Sequence, residues 1–270
     1  MKKLVRSVGV ASAALAFGAG AALSAPVAGA QSSLPTDSLG GSLGGDTCGT
    51  EVVTPENQEA SGWSSPGDEN SAVIAAVEDA PEHIGDAALT FETDGTGTSL
   101  YKNADRAPLA ELLRDGEDLA PLSFDYTSSD QAPALQIRLH EASLADTEEG
   151  AAGYDVGFAT IVWSPPAAEG WTTADPADDD GEFWVTRAIE GEDGKTIPRS
   201  TKMTLDQIID LNPDAVVTDY GVQKTRDNTA TNVAVDNFTL GCETTDFELE
   251  GGASGSLDDV LGSIEGILPS

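Results

Sequence analysis

Between residues 72 and 240 the chain is a succession of short runs in which apolar and polar positions alternate, separated by Asp, Gly, Pro and Thr. Ala134 to His140 (ALQIRLH) is the clearest. Leu135, Ile137 and Leu139 fall on one side and Gln136, Arg138 and His140 on the other, the period-two pattern of a strand covered on one face. Ala88 to Thr93, Pro121 to Thr127, Glu182 to Ala188, Ala215 to Tyr220 and Asn232 to Leu240 join the set of strands, and Ala72 to Glu78 is a further expected strand near the start. Gly157 to Trp163 (GFATIVW) is more uniformly apolar and predicts a central strand. Helical periodicity is confined to two short segments. Leu109 to Arg114 is weakly marked. Leu205 to Leu211 starts at a capping-box pair, Thr204 and Gln207, and stops at Asn212-Pro213. Many short strands with turn signals and little helix predict an all-β sandwich or jelly roll.

The flanks follow other rules. Lys2, Lys3 and Arg6 precede an Ala/Val/Leu/Gly run, and Ala28-Gly29-Ala30 has the small-x-small form of a cleavage site. Residues 1–30 therefore read as a signal peptide rather than a membrane span, with Gln31 as the new N-terminus. Residues 31–47 read as a Gly/Ser/Leu-rich linker. Residues 48–242 form the predicted sandwich domain, and 243–270 a flexible tail in which Ser256 to Leu268 could wind into a short amphipathic helix. No later stretch has the length and apolarity of a membrane span, and Gly251 to Ser270 carries no wall-anchoring motif.

Cys48 and Cys242 are the only cysteines, and they bracket the β-rich region. An even pair beside an export leader reads as a disulfide formed in an oxidising compartment. The expected location is secreted, or loosely associated with the cell envelope. The chain has 13 basic and 47 acidic residues, a formal charge of −34. Loss of the leader's three basic residues would make it more acidic still. Such a surface repels nucleic acid and anionic lipid and suits cations, Ca²⁺ first among them.

Read in order, several segments resemble the galactose-binding-like jelly rolls of carbohydrate-binding modules and cell-surface proteins. They are Gly95-Thr96-Gly97-Thr98-Ser99-Leu100-Tyr101, Leu119 to Tyr126, Pro133 to Leu139, Trp171 with Phe183-Trp184, and Thr204-Leu205 leading to Asn212-Pro213-Asp214-Ala215. The closing Val235-Asp236-Asn237-Phe238-Thr239-Leu240-Gly241 is the most specific of them. The resemblance spans about two thirds of the chain. It implies a non-catalytic sandwich that binds a ligand or displays one at a surface. In a jelly roll the first and last strands can lie side by side, which would bring the two cysteines together. The sequence departs from that pattern in showing no attached catalytic domain of the kind a carbohydrate module ordinarily serves, which argues against a conventional targeting role.

Among the four tryptophans, Trp171 in the loop Glu169-Gly170-Trp171-Thr172-Thr173 is the candidate for stacking on a sugar ring; packing beneath the loop is the competing reading. Trp163 and Trp184 sit in strand runs and read as core. Asp175, Asp178, Asp179 and Asp180, grouped on one loop, are the candidate Ca²⁺ ligands, although their spacing is not that of an EF-hand and a solvated acidic loop competes. His83 and His140 read as surface residues, and no nucleophile elbow or zinc-type pair is present. The sequence thus predicts a non-enzymatic binding or display module for carbohydrate or cell-envelope polymer. The first alternative is a structural or adhesive protein that contacts another surface protein. A glycoside hydrolase using two carboxylates is a distant second.

Overall fold

The computed structural model describes residues 48–66, 70–78, 80–92, 97–145, 153, 156–179 and 181–249. The leader, the linker, the segment 256–268 and Asp180 lie outside the described residues. In chain order the strands are β1 (Gly49–Val53), β2 (Trp63–Ser64), β3 (Asn70–Ser71), β4 (Val73–Ala76), β5 (Ala87–Thr90) and β6 (Thr98–Pro108). Helix α1 (Leu109–Leu113) then precedes β7 (Arg114–Asp115), β8 (Asp118–Leu119), β9 (Leu122–Thr127), β10 (Ala134–His140), β11 (Ala159–Trp163) and β12 (Thr172–Ala174). Next come β13 (Trp184–Val185), β14 (Ile189–Glu190), β15 (Thr196–Ile197) and helix α2 (Leu205–Leu211). The described elements end with β16 (Val216–Lys224), β17 (Ala234–Leu240) and β18 (Glu243–Phe247), and a 3₁₀ turn covers Glu82–Ile84.

These strands build an all-β sandwich of two seven-stranded sheets. One sheet runs β13-β11-β10-β16-β6-β2, with β3 also on β6. The other is organised around β17. Along one side β17 pairs with β9, which carries β12; along the other, its first half pairs with β5 and its second half with β18. Most pairs are antiparallel, but β1 runs parallel to β18.

The alternation of β10 translates directly into packing. Leu135, Ile137 and Leu139 are buried in the core, while Gln136, Arg138 and His140 are partly covered on the other face. Rings from both sheets interlock between the layers. Trp163 stands edge-on to Phe124 at 6.3 Å, and Tyr220 stacks on Phe238 at 5.8 Å. Trp63 has no exposed surface and meets Phe247 and Phe238 edge-on at 5.2 and 5.7 Å. Gly221 is required where β16 meets β6, since a Cβ there would lie 2.2 Å from the Leu100 carbonyl oxygen.

Three expectations shift. The longest strand, β6, was not evident from the sequence. Its second half is polar, and Asp105 and Arg106 interrupt it with φ of 49° and 59°, where the register against β16 also slips. Glu182 to Ala188 yields only the two-residue β13, since Phe183 bridges instead to Met203. The stretch read as the start of a flexible tail contains β18, whose Thr245 and Phe247 are buried, so the folded region extends beyond Cys242. The strand beside β1 is therefore β18 and not the run ending at Leu240. Gly49 and Glu243 are register partners, and the Gly49 amide donates to the Cys242 carbonyl at 3.0 Å. That pairing brings the preceding residues, Cys48 and Cys242, into a disulfide with Cα atoms 4.4 Å apart.

Candidate functional site

Strands around β17 send alternate residues to opposite faces. Leu89 and Val235 enter the core, so Ala88 and Ala234 face outward. There they meet Ile84 of the 3₁₀ turn in a small second cluster, against which Val77, Ala80 and Trp171 pack. Small side chains at Ala88 and Ala234 leave the sheet surface low at this point. Beside it is a groove of about 850 Å³, bordered by Glu78, Thr90, Glu92, Thr127, Trp171 and Asn232. Thr90 and Thr127 flank Ala234 in the ladder, so their side chains share its face.

Trp171 reaches the groove because β12 is zipped to β9. Thr172 pairs with Tyr126, Thr173 with Asp125 and Ala174 with Phe124. The Asp125 carboxylate fastens this junction from the outer face. It accepts hydrogen bonds from Thr173 Oγ1 at 2.6 Å and Asn237 Nδ2 at 3.0 Å, and His83 Nε2 lies 3.8 Å away. Asn237 Nδ2 also donates to the His83 carbonyl at 3.0 Å, tying the 3₁₀ turn to the same point. Gly170, at φ 80°, supplies the left-handed turn that delivers Trp171. The result is a half-buried aromatic held on a rigid sheet, with hydroxyl, amide and carboxylate groups around it. Such a set can cover an apolar ring face and hydrogen-bond the groups at its rim.

The other candidate residues divide between structure and surface. Trp163 is core as expected. Trp184 is only half-buried, because it lies between Phe183 and Val185, which take the inward positions. His83 is exposed, and His140 lies edge-on to Phe158 at 5.8 Å. Asp175 and Asp179 serve their own turn: Asp175 Oδ1 accepts from the Ala177 amide at 2.8 Å, and Asp179 Oδ2 from the Asp175 amide at 3.4 Å. Asp178 is exposed. Among the described residues no group of three His, Cys, Asp or Glu side chains converges as a metal site would require. The acidic turn borders a separate groove with Leu119, Pro121 and Leu205, so it and Trp171 do not share one site. Burial, and after it the charge of Asp179, push the Tyr126 phenol upward.

Two carboxylates that shape this face escaped the sequence reading. Asp125 is a short polar residue in an alternating strand, indistinguishable there from a solvent-facing one. Asp236, its register partner on β17, is fully buried. Burial pushes its carboxyl up to about 8, with the charges of Asp246 and Glu248 adding to the effect against hydrogen bonds from the Phe247 and Asn237 amides. Having no exposed surface, Asp236 does not line a cleft with Asp125, as a pair of hydrolytic carboxylates would.

No family model matches the chain, and no curated protein or solved structure matches it either. Fold and site together define an all-β sandwich with an aromatic-bordered groove on one outer sheet face. Among the described residues no helix is long and apolar enough to cross a membrane.

Proposed function

We propose that this chain is an exported, non-catalytic binding module that takes a carbohydrate or cell-envelope polymer in the groove beside Trp171. The observation that carries this reading is the placement of Trp171. It borders a groove of about 850 Å³ that Thr90, Thr127 and Asn232 also line. That volume falls within the range of small-ligand sites, and an immobilised aromatic loses little entropy on binding. Export is supported by the leader pattern of residues 1–30 and by the Cys48–Cys242 bond, which belongs to an oxidising compartment. The two-sheet sandwich is in keeping with the jelly-roll resemblance.

The test is a screen of residues 31–270 against glycans and cell-wall polymers, with and without calcium. Binding that disappears in Trp171→Ala supports the reading. A negative screen in both conditions sinks it and leaves contact with another surface protein as the working function. Mass spectrometry of the protein from culture medium tests export, with Gln31 as the expected N-terminus.

A further inference from the structure

Among the described residues, the ionisable groups lining the groove are two carboxylates, Glu78 and Glu92, and this lining includes no Lys, Arg or His. Both carboxylates are exposed at the rim. Several of the chain's few cations are paired elsewhere. Lys102 bonds Glu51 and Glu243, Arg114 bonds Asp206 and Asp210, and Arg106 bonds Glu141. None of these reaches the groove lining. The whole molecule, at −34, adds a field of the same sign.

Charge complementarity therefore narrows the ligand class. An anionic polymer, with uronate or phosphate groups, would meet two like charges beside Trp171 and find no counter-charge. A neutral sugar could donate hydroxyl hydrogen bonds to the carboxylates, but it would bring no charge. A sugar with a protonated amine does both. Its ammonium makes charge-assisted hydrogen bonds to carboxylate oxygens, and a cation near an indole face is attracted by the ring quadrupole. We infer that the groove selects a glycan whose units carry free primary amines, with Glu78 and Glu92 receiving the ammonium groups and Trp171 the ring face. This inference rests on the carbohydrate reading above.

The experiment is a calorimetric titration of the mature chain with short, length-matched oligomers of glucosamine, N-acetylglucosamine and galacturonic acid. The glucosamine oligomer is expected to bind about tenfold tighter than its acetylated counterpart, the gain of replacing a neutral donor to a carboxylate with an ammonium that adds the opposite charge. That advantage should shrink with added salt and vanish in the double variant Glu78→Gln/Glu92→Gln, while Trp171→Ala abolishes binding of both. Equal affinity for the amine and acetylated oligomers overturns the selection by charge and leaves the carbohydrate reading standing. Tightest binding of the galacturonate oligomer does the same. Glucosamine binding that survives Trp171→Ala is bulk attraction to an acidic surface and also overturns the inference. If none of the three binds, the inference falls, and the broader glycan and cell-wall-polymer screen decides the carbohydrate reading. Thermal melts of each variant check that the sandwich is intact.

Discussion

Asp236 Oδ1 accepts the amide hydrogen bond of Phe247 at 2.8 Å, a side chain standing in for backbone where β17 changes partner from β5 to β18. The ladder breaks here because Asn237 adopts φ of 47° and the register against β9 slips between Asp236 and Thr239. Asp236 Oδ2 is buried and has no hydrogen-bond partner among the described residues. A buried carboxyl in that position resists ionisation.

Stability should therefore fall as pH rises. The folded-state value of about 8 lies above the ordinary 3.8, so between the two the native state holds a proton that the unfolded chain has released. Stability from this group is fully present below the unfolded value and is lost as pH climbs through about 8. Asp246 and Glu248, whose carboxyls are also raised by burial, act in the same direction. Urea midpoints measured from pH 5 to pH 9 are expected to decline. Asp236→Asn, which keeps an acceptor for Phe247, should flatten most of that slope and stabilise the protein at pH 9 by several kcal/mol, on the order expected for a shift this large. An unchanged slope in the variant would assign the effect to other groups.

Reducing the Cys48–Cys242 bond releases a loop of 194 residues. The chain-entropy model gives a loss of about 5 kcal/mol as an upper figure. The expected outcome is a lower urea midpoint in reductant, with amide exchange rising first along Gly49 to Val53, because β1 is an edge strand whose ladder partner among the described residues is β18. Uniform exchange across both sheets would contradict this.

Trp63 and Trp171 should separate folding from binding. Trp63→Ala removes a fully buried ring that touches three other aromatics and is expected to cost about 3–5 kcal/mol. Trp171→Ala removes a half-buried ring on the outer face and should change stability by about 1 kcal/mol or less, with ligand binding lost. Denaturation curves for the two variants, read beside the glycan screen, check both statements.

Thr204 closes the capping box of α2. Its Oγ1 accepts from the Gln207 amide at 3.2 Å, and the Gln207 side chain accepts from the Thr204 amide at 3.0 Å. Thr204→Ala should cost about 1 kcal/mol, while Thr204→Ser should be close to neutral. Equal losses in the two would place the effect in packing of the threonine methyl.

How legible each feature was depends on how local its cause is. The bounds of β10 and α2 coincide with the sequence reading, since alternation and a capping box are written within a few residues. Strand β6 was hidden because its polar second half is held by pairing to β16, more than a hundred positions away. Strand β18 was hidden for a similar reason: its five residues look like any polar tail until β1 and β17 close on both sides. Trp171 could be named from its loop, but Asp125, which pins that loop, could not. A polar residue facing solvent and one facing Thr173 and Asn237 look the same in an alternating strand.

The sequence by itself determined an all-β chain with one cysteine pair, a strongly acidic surface and one tryptophan set in a glycine loop. These are properties of composition and of short-range pattern. The tertiary structure alone decided which strand lies beside β1, which face of the β17 sheet receives Trp171, and that Asp236 is shut away from water. Each of those follows from contacts between segments far apart in the chain, where burial and register, not residue type, set what a side chain can do.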